Sequence, residues 1–261
     1  MSTTPRSAGL RFAFGTLTVF PVRVTRWDRE AARAGMLCAP VAGLAVGVAA
    51  GFLGALLTRL GAGALLAAVA AVAVPAVLTR GLHLDGLADT ADGLGSGRPA
   101  AEALDIMKRS DIGPFGVVTL LLVLLGQVAA LAQAYGASWQ RGLVAAAVSG
   151  VAARLALTLA ARRGVPAARP EGLGAAVAGT VPRGAALVVG AAATVLAVAA
   201  GAALGGTYDA VRTGLAVPLA AGAAELSLGH CVRRFGGVTG DVFGALAETA
   251  GTAALLTLSL G

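Results

Sequence analysis

Three aspartates occur within eight positions of an otherwise apolar part of the chain, and they are spaced like one face of a helix. They are Asp85, Asp89 and Asp92, in the stretch HLDGLADTADG. Because positions i, i+4 and i+7 lie on one side of an α-helix, the three carboxylates would point together and repel one another. A divalent cation would relieve this repulsion, and Mg²⁺, which takes oxygen ligands and also binds substrate phosphates, suits the site. The alternative is a solvated loop with scattered acids, or a helix cap.

Two later polar stretches have the composition of a phosphate-binding site. AEALDIMKRSDIGPFG begins as a short amphipathic helix and brings basic residues next to the acidic stretch. RRFGGVTGDVFGALAE has a glycine-rich turn before an apolar helix, and backbone N–H groups in such a turn can bind a phosphate. Two acids seven positions apart on this helix share one face and could complete a carboxylate cluster with the three aspartates. The candidate residues of both stretches are Lys108, Arg109, Arg233, Arg234, Gly236, Gly237, Gly240, Asp241 and Glu248.

Ionisable residues also lie inside apolar runs, where they are functional candidates by default. They are Arg154, Glu225 and Glu248. A structural ion pair between Arg154 and one of the two acids is the alternative. His83, two positions before Asp85, is a candidate metal ligand or base, with a hydrogen-bonded structural histidine as the alternative.

The composition places these residues in a membrane. Of the 261 residues, 57% are hydrophobic and 13% are charged, whereas soluble domains carry about 25% charged residues. We therefore predict an all-α integral membrane protein with about seven transmembrane helices (six to eight), plus a short interfacial helix near 101–109. The predicted spans are 36–57, 62–79, 115–135, 142–161, 184–205, 214–231 and 243–260.

The distribution of basic residues predicts the orientation. With the N-terminus in the cytoplasm, 16 of the 20 Lys and Arg residues face the cytoplasm and three face the opposite side. This asymmetry is the positive-inside rule, and it accounts for the net charge of +7 without nucleic acid. The prediction is one polytopic domain, 1–261, with a cytoplasmic N-terminal segment at 1–35. Cytoplasmic active-site loops are predicted at about 80–114, 162–183 and 232–242.

Taken together, an acidic metal site, basic residues and a glycine-rich turn at one membrane face indicate phosphoryl or phosphodiester transfer. Mg²⁺ would neutralise the transferring phosphate, and an aspartate could accept the proton of an attacking hydroxyl. The residues alone do not name the substrate.

Four motifs resemble those of the cobalamin synthase family, the adenosylcobinamide-GDP ribazoletransferases. They are GLHLDGLADTADG, MKRSDIGPFG, EGLG and GGVTGDVFGALAE, in the family's order and spacing, and the resemblance covers nearly the whole chain. It implies a multi-spanning enzyme of the bacterial inner membrane with its active site facing the cytoplasm. Its members join adenosylcobinamide-GDP to α-ribazole, or to α-ribazole 5′-phosphate, with release of GMP and a requirement for Mg²⁺.

The resemblance also implies roles for single residues. The matched acids are the three aspartates, Asp241 and Glu248, and the matched bases are Arg154, inside a span, and Arg233, before the paired glycines. Two departures leave roles unassigned. Many family members carry an acid before a base where this chain has Arg109 before Asp111, and many carry an arginine before the early proline where this chain has Phe20.

Two other functions remain as alternatives. A CDP-alcohol phosphotransferase would carry D-G-x-x-A-R, but here Asp85-Gly86-Leu87-Ala88 is followed by Asp89. A cation- or proton-coupled transporter would use Glu225, Glu248 and Arg154 and would show inverted repeats, and no internal repeat is seen. The expected partners are the two substrates and the lipid bilayer, without nucleic acid. Self-association and association with other enzymes of the cobalamin nucleotide loop are left open.

Overall fold

The computed structural model describes residues 5–260, which form eleven helices with short connections and no strands. Residues 1–4 and 261, the two ends of the predicted domain, lie outside the described residues. The helices are α1 (Pro5–Leu17), α2 (Arg29–Arg59), α3 (Ala64–Leu78), α4 (Leu82–Gly95), α5 (Ala100–Ile106), α6 (Pro114–Ala137), α7 (Trp139–Ala160), α8 (Gly172–Val177), α9 (Arg183–Gly205), α10 (Thr207–Phe235) and α11 (Gly240–Ser259).

Six of these helices are long and apolar enough to cross a bilayer: α2, α6, α7, α9, α10 and α11. The pair α3 and α4 adds a seventh candidate span, but the two helices are bent by 88° relative to one another. Each of the seven predicted spans therefore falls on a helix, and the all-α membrane fold is confirmed. The short helix predicted near 101–109 is α5.

The centre of the protein is formed by α2, α7 and α11, which bury a larger share of their surface than α6, α9 and α10. Close packing there depends on small residues. A Cβ atom added at Gly43 of α2 would collide with the carbonyl oxygen of Gly150 on α7. An apolar side chain gains little free energy on moving from lipid into the protein, because both environments are apolar. Helices in a membrane therefore associate largely through close van der Waals contacts of this kind.

Ion pairs at or next to both ends of α7 join it to α10. At one end Asp209 is buried and accepts from Arg141 at 2.9 Å and from Arg212 at 3.3 Å. At the other end Arg162 makes two parallel hydrogen bonds to Glu225, of 2.6 and 2.7 Å. A bidentate arginine–carboxylate pair fixes orientation as well as distance, so it holds the two helices in register.

The polar connections meet at one end of the bundle, which we call the loop face and define as segments 18–28, 79–113, 161–182 and 236–239. Backbone hydrogen bonds link Val19 to Leu78 and Ala168 to Val238, and the guanidinium of Arg29 donates to the carbonyl of Ala178. The loop face contains the segments predicted to be cytoplasmic loops. Segment 80–114 is largely α4 and α5, which agrees with the predicted helical spacing of the aspartates and with the short helix predicted near 101–109. Segment 1–35 contains α1 and the start of α2.

Asp28 on the loop face caps α2. Its carboxylate accepts from the backbone N–H groups of Glu30 and Ala31 at 3.1 and 3.0 Å. Arg26 donates to the same carboxylate at 2.8 Å, and this hydrogen bond is the main reason that the pKa of Asp28 is lowered to about 2. The cap therefore stays charged far below neutral pH.

Candidate active site

The acidic stretch is a continuous helix that the chain enters through a sharp turn. Arg80 and Gly81, with φ of 54° and 71°, are two successive left-handed residues between α3 and α4. They turn the chain by the 88° that separates the two helices, so α4 leaves the direction of α3. The helix then runs through Gly86 and Gly93 without a break, and the predicted helical spacing of the aspartates is confirmed.

The start of α11 packs directly on α4. A Cβ atom added at Gly86 would lie 2.6 Å from the carbonyl oxygen of Asp241, and one added at Gly244 would lie 3.1 Å from the carbonyl oxygen of His83. At Gly86 a side chain would force the two helices apart, and at Gly244 it would make a very tight contact. The crossing places Asp241 next to Asp85, although the two are far apart in sequence.

Three carboxylates come together at this crossing. Asp85 is exposed and Asp89 is half-buried on α4, and both are close enough to Asp241 for their charges to interact. One cation partly offsets this charge, since Nη1 of Arg169 lies 3.9 Å from Oδ2 of Asp241. The hydroxyl of Thr239 lies 3.1 Å from the same oxygen. The result is a cluster with more negative than positive charge.

Asp92, the third predicted ligand, has a different environment. Its side chain is buried, and its two oxygens accept from the backbone N–H groups of Gly113 at 2.7 Å and Gly116 at 2.9 Å. These groups belong to the first turn of α6, whose N–H groups have no partner within the helix. Asp92 therefore caps α6 from another helix, as the alternative interpretation of these acids allowed. Since both of its oxygens already accept from backbone N–H groups, we do not expect Asp92 to hold a metal together with Asp85 and Asp89.

Among residues 5–260, no group of three or more His, Cys, Asp or Glu side chains is arranged to hold a metal ion by itself. Mg²⁺ in proteins often takes only one or two carboxylates and completes its shell with water and substrate phosphates. Asp85, Asp89 and Asp241 supply such hard oxygen donors, and their mutual repulsion favours a bound cation. These residues therefore fit a magnesium ion that is shared with a phosphorylated substrate.

A large open cavity of about 980 Å³ lies on one side of Asp85. It is the more polar of the two cavities at this site. Besides the acids Asp85, Asp89 and Asp111, its walls carry three cationic side chains, those of Arg80, Lys108 and Arg109. The two basic residues predicted from the sequence are thus in place, and the cavity combines carboxylates with cations in the way that a phosphate-bearing ligand requires.

A smaller cavity of about 290 Å³ lies on the other side of Asp85, lined by apolar side chains. Ionisable side chains also line it, those of His83, Arg169, Glu171 and Asp241, together with Gly240. Asp85 itself lines both cavities. The acidic cluster thus stands at the boundary between two spaces of different size and polarity.

The glycine-rich turn before α11 is mostly used for packing. Gly236 ends α10 in the left-handed region, with φ of 81°. Gly237 packs on the backbone of 166–168, and the N–H of Val238 donates to the carbonyl of Pro166 at 2.9 Å. Of the three predicted glycines, only Gly240 lines a cavity at the site. The segment 166–168 covers Gly237, whereas Gly236 is in open space, and neither glycine lines a cavity at the site.

The two arginines at the end of α10 also lie away from both cavities. Arg233 is exposed and its side chain lies along its own helix, near Gly229. Arg234 donates to the carbonyl of Arg98, and its guanidinium lies over the Phe235 ring. Arg234 thus binds the backbone of the loop face and Arg233 lies on the surface of α10, and neither lines a cavity beside the acidic cluster.

Arg154 and Glu248 lie deeper in the bundle. Nη2 of Arg154 is 3.3 Å from Nδ1 of His83, so this arginine is linked to the first turn of α4. Glu248 accepts from Gln127 at 2.9 Å and lines a separate small cavity together with Arg154. Glu248 lies two helical turns after Asp241 on α11 and is not part of the cluster of Asp85, Asp89 and Asp241.

Sequence reasoning missed two cations and one helix of this site. From the sequence, Arg80 and Arg169 count only among the basic residues of the predicted cytoplasmic side, although Arg169 lies two residues before the EGLG motif. The end of α1 contributes Thr16 to both cavities and Leu17 to the smaller one. No local pattern in the sequence connects these residues to the acidic helix, since only the folded chain brings them together.

Residues 9–259 match the protein-family model described as cobalamin-5-phosphate synthase. An adenosylcobinamide-GDP ribazoletransferase of Frankia casuarinae is 44% identical over 268 aligned residues, covering 96% of this chain and 94% of the relative. Proteins of the same name from Nocardioides sp. and Bradyrhizobium diazoefficiens are 40% and 38% identical, covering 94% and 93% of this chain. No solved structure matches the chain.

Proposed function

The chain belongs to the cobalamin-5-phosphate synthase family, and from this premise we propose that it joins adenosylcobinamide-GDP to α-ribazole or α-ribazole 5′-phosphate. The products would be adenosylcobalamin, or its 5′-phosphate, and GMP. This is a late step in the synthesis of the vitamin B12 coenzyme. The observation that supports the proposal most directly is the position of Asp85, between a cavity with three cations and a cavity with apolar walls.

The proposed reaction forms one bond and breaks one. A ribose hydroxyl oxygen of α-ribazole attacks the phosphorus next to cobinamide, and the phosphoanhydride bond to GMP breaks. Asp85 accepts the proton of the hydroxyl, because its carboxylate lines both cavities. Arg80, Lys108 and Arg109 bind and orient the diphosphate in the large cavity, where their charges favour the negative charge of the leaving group.

We propose that Asp89 and Asp241 hold the Mg²⁺ ion, with Asp85, the proposed base, next to them. When bound, the ion would neutralise charge on the diphosphate and polarise the phosphorus that is attacked. Arg169 limits the charge of the acidic cluster through its contact with Asp241. Asp92 supports the site indirectly, since it fixes the start of α6 against α4.

The enzyme is proposed to lie in the bacterial cytoplasmic membrane with the loop face toward the cytoplasm. The excess of Lys and Arg in the loop-face segments supports this orientation through the positive-inside rule. Single cysteines placed at exposed Glu102 on the loop face and at exposed Tyr208 on the opposite end would test it in intact cells. Labelling by a membrane-impermeant maleimide is expected only at position 208, and the reverse pattern would overturn the orientation.

The reaction is tested with purified protein in detergent, adenosylcobinamide-GDP, α-ribazole and Mg²⁺. We expect release of GMP in equal amount to the corrinoid product, and loss of turnover when the metal is removed by a chelator. No GMP release, beside an active positive control, would refute the proposal. We expect Asp89→Ala to abolish turnover at an unchanged yield of folded protein. Glu102→Gln, which changes an exposed acid on α5, is the control.

The two alternative functions are less well supported. The family match and the named relatives favour cobalamin synthesis over phospholipid synthesis. A transport path through Glu225 is disfavoured because both of its oxygens are bound by Arg162. Glu248 and Arg154 sit beside a cavity of only about 50 Å³, which has room for very few water molecules.

A further inference from the structure

The two cavities that meet at Asp85 differ in size, polarity and charge, and we infer that each one receives a different substrate. The inference rests on the proposed function. We assign the small cavity to the base of α-ribazole and the large cavity to the diphosphate and corrinoid of adenosylcobinamide-GDP. Phe243 is then a residue that determines which nucleoside base is accepted.

The small cavity has the chemistry of a site for an aromatic base. Its apolar lining includes the side chains of Phe12, Leu17, Met36, Leu157 and Phe243. These residues come from α1 and from the three central helices α2, α7 and α11. At about 290 Å³ the cavity is near the lower end of the range for small-molecule sites, about 300–1,000 Å³. A single nucleoside fits this size, and a corrinoid does not.

Charge separates the two cavities further. Three cationic side chains balance the three aspartates of the large cavity. In the small cavity Arg169 is the one lysine or arginine side chain among the described residues, beside three acids, and it is paired with Asp241. A diphosphate ester carries negative charge that needs cations, but a benzimidazole base does not. The larger volume, about 980 Å³, and the open mouth also suit a corrinoid that is only partly enclosed.

The boundary between the cavities places the reacting groups next to one another. With the base on the apolar floor, the ribose of α-ribazole lies at the acidic wall, near Asp85 and Asp241. A diphosphate held by Arg80 and Arg109 reaches the same wall from the other side. The hydroxyl and the phosphorus thus approach from opposite sides, with the carboxylate of Asp85 within both cavities.

Steady-state kinetics of two complementary variants test the assignment. Phe243→Ala widens the small cavity and removes an aromatic contact. We expect the KM for α-ribazole to rise by about tenfold or more, as for the loss of apolar contact in a specificity pocket, with the KM for adenosylcobinamide-GDP unchanged within about twofold. The same variant should gain activity toward α-ribosides of bulkier bases such as naphthimidazole, relative to α-ribazole. Arg80→Ala should show the opposite pattern, with a raised KM for adenosylcobinamide-GDP only.

Leu246→Ala is the matched control. Leu246 is also a buried residue of α11, but it lines a different groove and neither substrate cavity. It therefore reproduces the loss of core packing without altering the substrate sites. If Phe243→Ala does not fold, Val177→Phe, which fills the small cavity from α8, should raise the KM for α-ribazole and exclude bulkier bases.

The outcomes separate this inference from the proposed function. Wild-type protein that releases no GMP refutes the proposed function itself. Active wild-type protein in which Phe243→Ala leaves base preference unchanged, or raises both KM values equally, overturns the assignment of the cavities alone. If Phe243→Ala raises only the KM for adenosylcobinamide-GDP, the small cavity binds that substrate instead, and the assignment is overturned.

Discussion

Replacing Asp92 by alanine should destabilise the protein, because this carboxylate caps α6 and does not line either substrate cavity. The substitution removes two hydrogen bonds, from Gly113 at 2.7 Å and from Gly116 at 2.9 Å. A hydrogen bond to a charged group contributes about 1.5–3 kcal/mol, so the loss is about 3 kcal/mol or more. With roughly 2–4 °C per kcal/mol for a chain of 150–250 residues, the midpoint of thermal unfolding should fall by at least roughly 6 °C.

Thermal unfolding in detergent, followed by far-UV circular dichroism, measures this effect. Asp92→Asn should lie between wild type and Asp92→Ala, since the amide oxygen still accepts one of the two hydrogen bonds. Asp89→Asn is the matched control on the same helix, and it should lose turnover at an unchanged unfolding temperature. If Asp92→Ala unfolds at the wild-type temperature but has lost activity and Mg²⁺ dependence, Asp92 is a metal ligand and the capping argument is wrong.

Three further predictions follow from the packing and charges of the fold. Gly86→Ala should lower both activity and stability, by about 1–3 kcal/mol, because its Cβ would meet the backbone of α11, whereas Gly126→Ala, in open space on α6, should be neutral in the same assays. The charges of Arg154 and Glu248 interact, so Arg154→Met and Glu248→Gln should each lower the unfolding temperature. The double variant should show a smaller decrease than the sum of the two single decreases, because it leaves neither charge uncompensated. Additive decreases would refute this interaction. Asp28→Ala should lower the unfolding temperature at neutral pH, and its difference from wild type should shrink as pH falls from about 4 toward 2. The reason is that a carboxylate with a lowered pKa stabilises the fold only while it is charged. A difference in unfolding temperature that grows on acidification would contradict this.

The sequence was sufficient to predict the membrane-spanning helices, because each span is a continuous apolar run and lipid allows few other structures. It also predicted the shared face of the aspartates, since helical spacing is a local property that Gly86 and Gly93 do not interrupt. The short helix α5 was recognised for the same reason. These features depend on residues that are neighbours along the chain.

The roles of single acids could not be predicted in this way. Asp85, Asp89 and Asp92 have equivalent positions on one helix face, but only the packing of α6 shows that Asp92 binds backbone N–H groups. Likewise, Asp241 and Glu248 share a face of α11, yet one turns to Arg169 and the other to Gln127. Each difference comes from a partner on another helix.

The substrate cavities are also a product of tertiary structure. Arg80, Arg169 and the end of α1 are ordinary residues in the sequence, and they become part of the site because α4 bends away from α3 and crosses the start of α11. Local sequence therefore determined the helices, their membrane character and the acidic motif. Contacts between helices distant in sequence determined which charges meet, and they formed the two cavities that Asp85 separates. Only the tertiary structure could decide these features, because side-chain electrostatics and cavity shape depend on distances in space.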